Sequence, residues 1–96
     1  MNDYIFLMHN DGGPTSPEEW EAYIGRLNGL GVFQGGSSIG GGVCVSKNRD
    51  VKPITGRLSG YIKIKALSLD EAKEFVDGNP VFEAGGTVEV RELPRS

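Results

Sequence analysis

The sequence holds one cysteine, Cys44, and one histidine, His9, in 96 residues. A lone cysteine excludes an internal disulfide, and a single histidine beside it leaves no set of zinc-type ligands. Long apolar runs are missing too. The longest is the strand-sized YIFLM at 4–8, far short of the ~20 residues that a membrane-spanning helix needs. No charged leader precedes it, so a secretory signal is not expected. Positive charge is sparse: 10 Lys and Arg against 13 Asp and Glu give a net charge of −3. They are spread along the chain without a basic stripe, which argues against nucleic acid as a partner. Phosphate-binding motifs are absent as well. GGSSIGGG at 35–42 lacks G-x-x-x-x-G-K-[ST], and no G-x-G-x-x-G opens a helix, so no cofactor is expected. Such a glycine cluster marks a bulge and a turn between strands, or a mobile rim where backbone approaches a ligand. These absences point to a reducing, cytoplasmic setting with neither membrane nor nucleic acid as partner.

What is present is one domain, residues 1–96. At this length folding removes roughly two thirds of the accessible surface from water, enough for a single core. The same local grammar occurs twice. YIFLM is followed by a loop and then by SPEEWEAYIGRLNG at 16–29. There Ser16 is an N-cap, Pro17 takes the first helical position and Glu19 closes a capping box. Trp20, Tyr23, Ile24, Leu27 and Leu30 make one apolar stripe, and Gly29 is the expected left-handed stop. The second copy is GYIKIKALSLDEAKEFVDGNP at 60–80. Ser68 and Glu71 repeat the capping box, Leu69, Ala72 and Val76 share a face, and Gly78 with Pro80 ends the helix.

GVFQGGSSI at 31–39 and GTVEVREL at 86–93 supply the return strands, and VCVS at 43–46 with VKPI at 51–54 predicts a projecting hairpin. The order is that of a ferredoxin-like split βαβ sandwich in the α+β class. It comprises an antiparallel sheet with two helices on one face and an inserted β-hairpin. Alternation puts Ile62, Ile64 and Ala66 beneath the helices and Tyr61, Lys63 and Lys65 opposite. Val88 and Val90 likewise oppose Thr87, Glu89 and Arg91. The first strand is apolar on both faces, with Tyr4, Phe6 and Met8 on one and Ile5 and Leu7 on the other. Helices cover only one side of such a sheet, so a second copy is the expected cover for the other, giving a homodimer with a shared interior.

YIFLMHND, the SPEEW helix start and GYIKIKALSLDEAKEFVDGNPVFEAGGTVEVREL together resemble the YCII-related proteins, including the branch named for a DGPF motif. The likeness covers most of the chain and is thinnest over 34–57. It implies a ferredoxin-like fold, a dimeric α/β barrel and a small-molecule cavity proposed as an active site, with the reaction largely unassigned. The histidine suggested for the YCII type near the first helix start is replaced here by Trp20 or a neighbour. The suggested aspartate before the proline after the second helix is replaced by Asn79, and the DGPF tetrapeptide is missing around ITGRLSGY at 54–61. An amide does not titrate, so Asn79 cannot orient a histidine as a carboxylate does.

His9, with Asp11 two residues on, is the candidate general acid/base pair. A neutral-range histidine suits proton transfer, and a carboxylate would fix its tautomer. The plainer alternative is a strand-end histidine with Asp11 starting a turn at Gly12. H-x-D offers too few ligands for a metal. Tyr4, Phe6, Arg57, Tyr61, Lys63, Glu89 and Arg91 form a candidate ligand-binding lining on the open sheet face, suited to a small anionic or aromatic molecule. Lysine and glutamate on neighbouring strands would equally serve as pairs at a dimer interface or in water. Cys44 has no thiolate-activating neighbour in sequence and is expected to pack. Three functions stay open: a non-catalytic or weakly catalytic small-molecule-binding dimer, an enzyme using His9, and a pure dimerisation module.

Overall fold

The fold of the chain is given by a computed structural model that describes residues 1–52 and 55–95. Serine caps start both main helices. Ser16 Oγ accepts from the Glu19 amide at 3.2 Å, opening α1 (Pro17–Gly29). Ser68 Oγ accepts from the Glu71 amide at 3.2 Å, opening α2 (Leu69–Glu74). The second cap is reinforced by Glu71, whose carboxylate accepts from the Leu67 amide at 2.9 Å. The stop of α1 falls later than predicted. Gly29 is still helical and Gly31 takes the left-handed conformation at φ 74°. Gly78 is left-handed as expected.

Four strands form one antiparallel sheet in the order β2 (Phe33–Ser38), β3 (Leu58–Ala66), β1 (Asn2–His9), β4 (Val88–Leu93). With the helices between β1 and β2 and between β3 and β4, this is the predicted ferredoxin-like α+β arrangement. Two features differ. A third helix, α3 (Pro80–Glu83), follows α2. Asn79 caps it, and its side-chain oxygen accepts from the amides of Val81 and Phe82 at 2.9 and 3.3 Å. The predicted hairpin over 43–54 is not formed: residues 39–52 contain no strand, and the Pro53–Ile54 end of VKPI lies outside the described residues. Three successive glycines precede Val43, and Val43 and Val45 are 85 % and 89 % exposed. With no apolar surface to cover them, their alternation selects no face.

Alternation sorts the rest of the sheet. Register pairs Tyr4 with Ile64 and Phe6 with Ile62, so these four side chains share a face. They pack with Met8, Ala66, Tyr23, Leu27, Val32, Ala72 and Val76 into the core under the helices. Tyr4 and Phe6 are therefore core residues, 3 % and 0 % exposed, rather than part of an open lining. They belong to the face whose partners on β3 are isoleucines, and lysine positions alternate to the other side.

Candidate functional site

The core face of β2 is where the packing thins. FQGGSS places Phe33, Gly36 and Ser38 toward the helices, and Gly36 faces Ile62 across the β2–β3 ladder. A register shift between Phe33 and Gly35, with Gly35 at φ 116°, bends this edge strand. Gly60 on β3 pairs with Met8 and Ser38 and carries no side chain either. Added methyl groups would press on backbone, 2.5 Å from the Tyr61 carbonyl oxygen at Gly36 and 3.1 Å from that of Ser37 at Gly60. Glycine is thus required for the strands to approach, and the same two positions leave a bare patch beneath α1.

That patch is the floor of a cleft of about 450 Å³. Trp20 and Ile24 of α1 form its opposite wall, Phe33 and Ile62 extend the floor, and Met8, Val81 and Thr15 close its ends. The Trp20 indole is fixed from two sides. Its Nε1–H donates to Thr15 Oγ1 at 3.1 Å, and its ring meets Tyr23 edge-on, with centroids 6.2 Å apart at 71°. Tyr23 is in turn held by its hydroxyl, which donates to the Phe75 carbonyl at 2.7 Å. Burial pushes its phenol up to about 12.

The predicted acid/base pair is placed elsewhere. His9 Nε2 lies 3.3 Å from Glu89 Oε1, and Glu89 Oε2 accepts from Arg91 Nε at 2.6 Å. The Arg91 hydrogen bond, with the His9 contact second, holds the Glu89 carboxyl below its usual range. Asp11 does not bond His9. Its carboxylate accepts from the Thr87 hydroxyl at 2.6 Å and from the Thr87 amide at 2.8 Å, which lower its pKa. It clamps the loop after β1 to the loop before β4. Gly12 and Gly86 meet there so closely that a Cβ on Gly12 would sit 2.4 Å from the Gly86 nitrogen. The short side chain of Asp11 and the glycine beside it thus serve this junction.

Of the predicted ligand lining, Tyr61, Lys63, Glu89 and Arg91 do share the helix-free face, along with Lys65. Leu7 pairs with both Tyr61 and Glu89, and Ile5 with both Lys63 and Arg91, so two half-buried aliphatic side chains run between the charges. Arg57 precedes β3, and its carbonyl accepts from the Asn10 amide at 2.7 Å. Only Tyr61 borders the cleft, at β3, where alternation turns its ring to the opposite face. Trp20, Thr15, Gly36, Ser38 and Gly60 were missed by residue chemistry. The available signal was a strand, FQGGSS, with almost nothing to offer the helices facing it.

Comparison with known proteins adds a likeness of fold. No family model and no curated protein matches the chain. A solved structure of 5-chloro-2-hydroxyhydroquinone dehydrochlorinase from Burkholderia phenoliruptrix AC1100, in complex with 2,5-dihydroxybenzoquinone, superposes with a TM-score of 0.58. The match covers 98 % of this chain and 95 % of that one at 17 % identity, which establishes a shared fold. No helix among the described residues is long and apolar enough to cross a membrane.

Proposed function

We propose that the chain is the subunit of a homodimeric, YCII-related protein that binds a small molecule in the cleft between α1 and the sheet, with little or no catalysis. The observation that carries this is the cleft itself: about 450 Å³, lined by an aromatic wall held in place before any ligand arrives. Among the described residues its lining holds no carboxylate, imidazole, amine or guanidinium, the groups that most often move protons at neutral pH. The fold shared with a dehydrochlorinase solved with a small quinone bound adds support for a ligand of this size. The cytoplasm suits the free Cys44.

The second copy belongs on the helix-free face. Ile5 and Leu7 give that face an apolar centre, with Lys63 and Lys65 on one flank and Glu89 on the other. A two-fold axis parallel to the strands would set Lys63 and Lys65 of one subunit against the Glu89–Arg91 pair of the other. A second reading is an enzyme using His9, favoured by the 3.3 Å contact of its Nε2 with Glu89, which stands on the face that two such sheets would share. Light scattering at micromolar concentration is expected to show a dimer, and a folded monomer there would overturn the assembly. A thermal-shift screen of metabolites is expected to give hits that His9→Ala retains. Loss of binding in His9→Ala would instead favour the enzyme, and no hits at all would favour a dimerisation module.

A further inference from the structure

Resting on the cleft as the binding site, we infer that its ligand is an uncharged, planar aromatic molecule of one or two rings carrying a hydroxyl, carbonyl or amide group. Three observations carry this. The first is charge. Among the described residues no side chain bordering the cleft is formally charged, so an anion or cation moving in from water would surrender hydration without meeting a counter-charge. Lys63, Lys65, Glu89 and Arg91 of the sheet alternate to its far side.

The second is shape. Gly36 and Gly60 give the floor bare backbone in place of side chains, and the Trp20 indole lines the same cleft. A strand glycine is where a ligand approaches backbone closely, and a fixed indole offers a stacking partner with little ordering cost. Because Thr15 already takes the indole N–H, Trp20 has its ring face left to offer. The third is the polar edge. Ser37 and Ser59 hydroxyls donate to the carbonyls of Ser38 and Met8, whereas Ser38 Oγ, at the mouth of the cleft, has no hydrogen-bond partner among the described residues. One free hydroxyl at the rim of an aromatic slot suits one or two polar substituents on a ring.

Trp20 is the single tryptophan of the chain, so its emission reports on the cleft alone. Three probes of similar size separate the claims: 4-hydroxybenzamide, 4-hydroxybenzoate and 4-hydroxycyclohexanecarboxamide. Titrated against the full chain, with fluorescence checked by calorimetry, the amide is expected to quench saturably and to bind at least about tenfold tighter than the carboxylate. The saturated ring is expected to bind several-fold more weakly than the amide. Ser38→Phe, at an exposed rim position, should abolish binding of the amide by filling the mouth. Thr15→Val should weaken it a few-fold by releasing the indole while leaving the fold intact. If the carboxylate or the saturated ring binds as tightly as the amide, and Ser38→Phe still blocks it, the ligand class is wrong and the cleft stands. If none of the three binds the wild-type chain, the aromatic slot and the cleft as binding site fall together.

Discussion

The two faces of β1 are built from equally apolar residues, yet the molecule treats them oppositely. Tyr4, Phe6 and Met8 are sealed beneath the helices at 3 %, 0 % and 4 % exposure, whereas Ile5 and Leu7, one residue out of phase, stay half-buried among charges. Hydrophobicity alone does not assign a face. The neighbouring strands do, through register: the partners of Phe6 on β3 and β4 are Ile62 and Val90, and those of Leu7 are Tyr61 and Glu89. The same division separates the proposed binding cleft from the proposed dimer face. The helix side holds an uncharged cleft with an aromatic wall, and the free side holds Lys63, Lys65, Glu89 and Arg91 around a modest aliphatic stripe. Chemistry read from titratable residues therefore leads to the helix-free face, whereas the cleft lies on the other.

Removing the Phe6 ring tests the sealed face hardest. Phe6→Ala should cost about 3–5 kcal/mol in denaturant unfolding, since the void lies among well-packed neighbours that cannot collapse into it. Next comes Asn79, fully buried, whose side-chain oxygen satisfies two amides of α3 while its amide nitrogen lies 3.7 Å from Met8 Sδ. Asn79→Ala should cost about 2 kcal/mol, at the upper end for a lost cap, because the stranded amides are only partly open to water. On the free face, Leu7→Lys should change the stability of one chain by less than about 1 kcal/mol, as expected for a partly solvated site. Its large effect should be on mass: light scattering should move from dimer to monomer. Equal unfolding costs for Phe6→Ala and Leu7→Lys at high dilution would erase the contrast between the faces.

Much of this architecture is legible in the sequence, because its signals are local. The serine caps at 16 and 68, the alternation of Ile62, Ile64 and Ala66, and the repeated strand–helix unit each fix an element through its own residues. Two kinds of information are not local. Which side Tyr4 and Phe6 take depends on pairing with strands some sixty to ninety residues away, and a strand apolar on both faces carries no preference of its own. The cleft is harder still, because it is made by side chains that are missing. Gly36 and Gly60 become a floor only when β2 and β3 lie together under Trp20. Val43 and Val45 fail in the converse way: their alternation is strand-like, but no surface arrives to receive them.

The smallest expected effect concerns Asp11 and separates a structural clamp from a catalytic partner. The Thr87 hydroxyl and amide lower its pKa beneath the ordinary 3.8, so the folded chain releases that proton more readily than the unfolded one. Stability from this group is complete above 3.8 and is lost as pH falls through the lower folded value, where the unfolded chain takes up the proton first. Glu89, lowered by Arg91 and His9, adds a loss of the same sign from its ordinary 4.5 downward. Asp11→Asn keeps an oxygen for the Thr87 amide but cannot carry the charge. Its unfolding midpoint should therefore fall less steeply than wild type between about pH 5 and pH 3, with the Glu89 share of the slope retained. A wild-type slope left unchanged in Asp11→Asn would remove the clamp from its role. The His9-centred enzyme predicts something different, a change in ligand handling near neutral pH, where Asp11 is ionised in either state and its clamp contributes no slope.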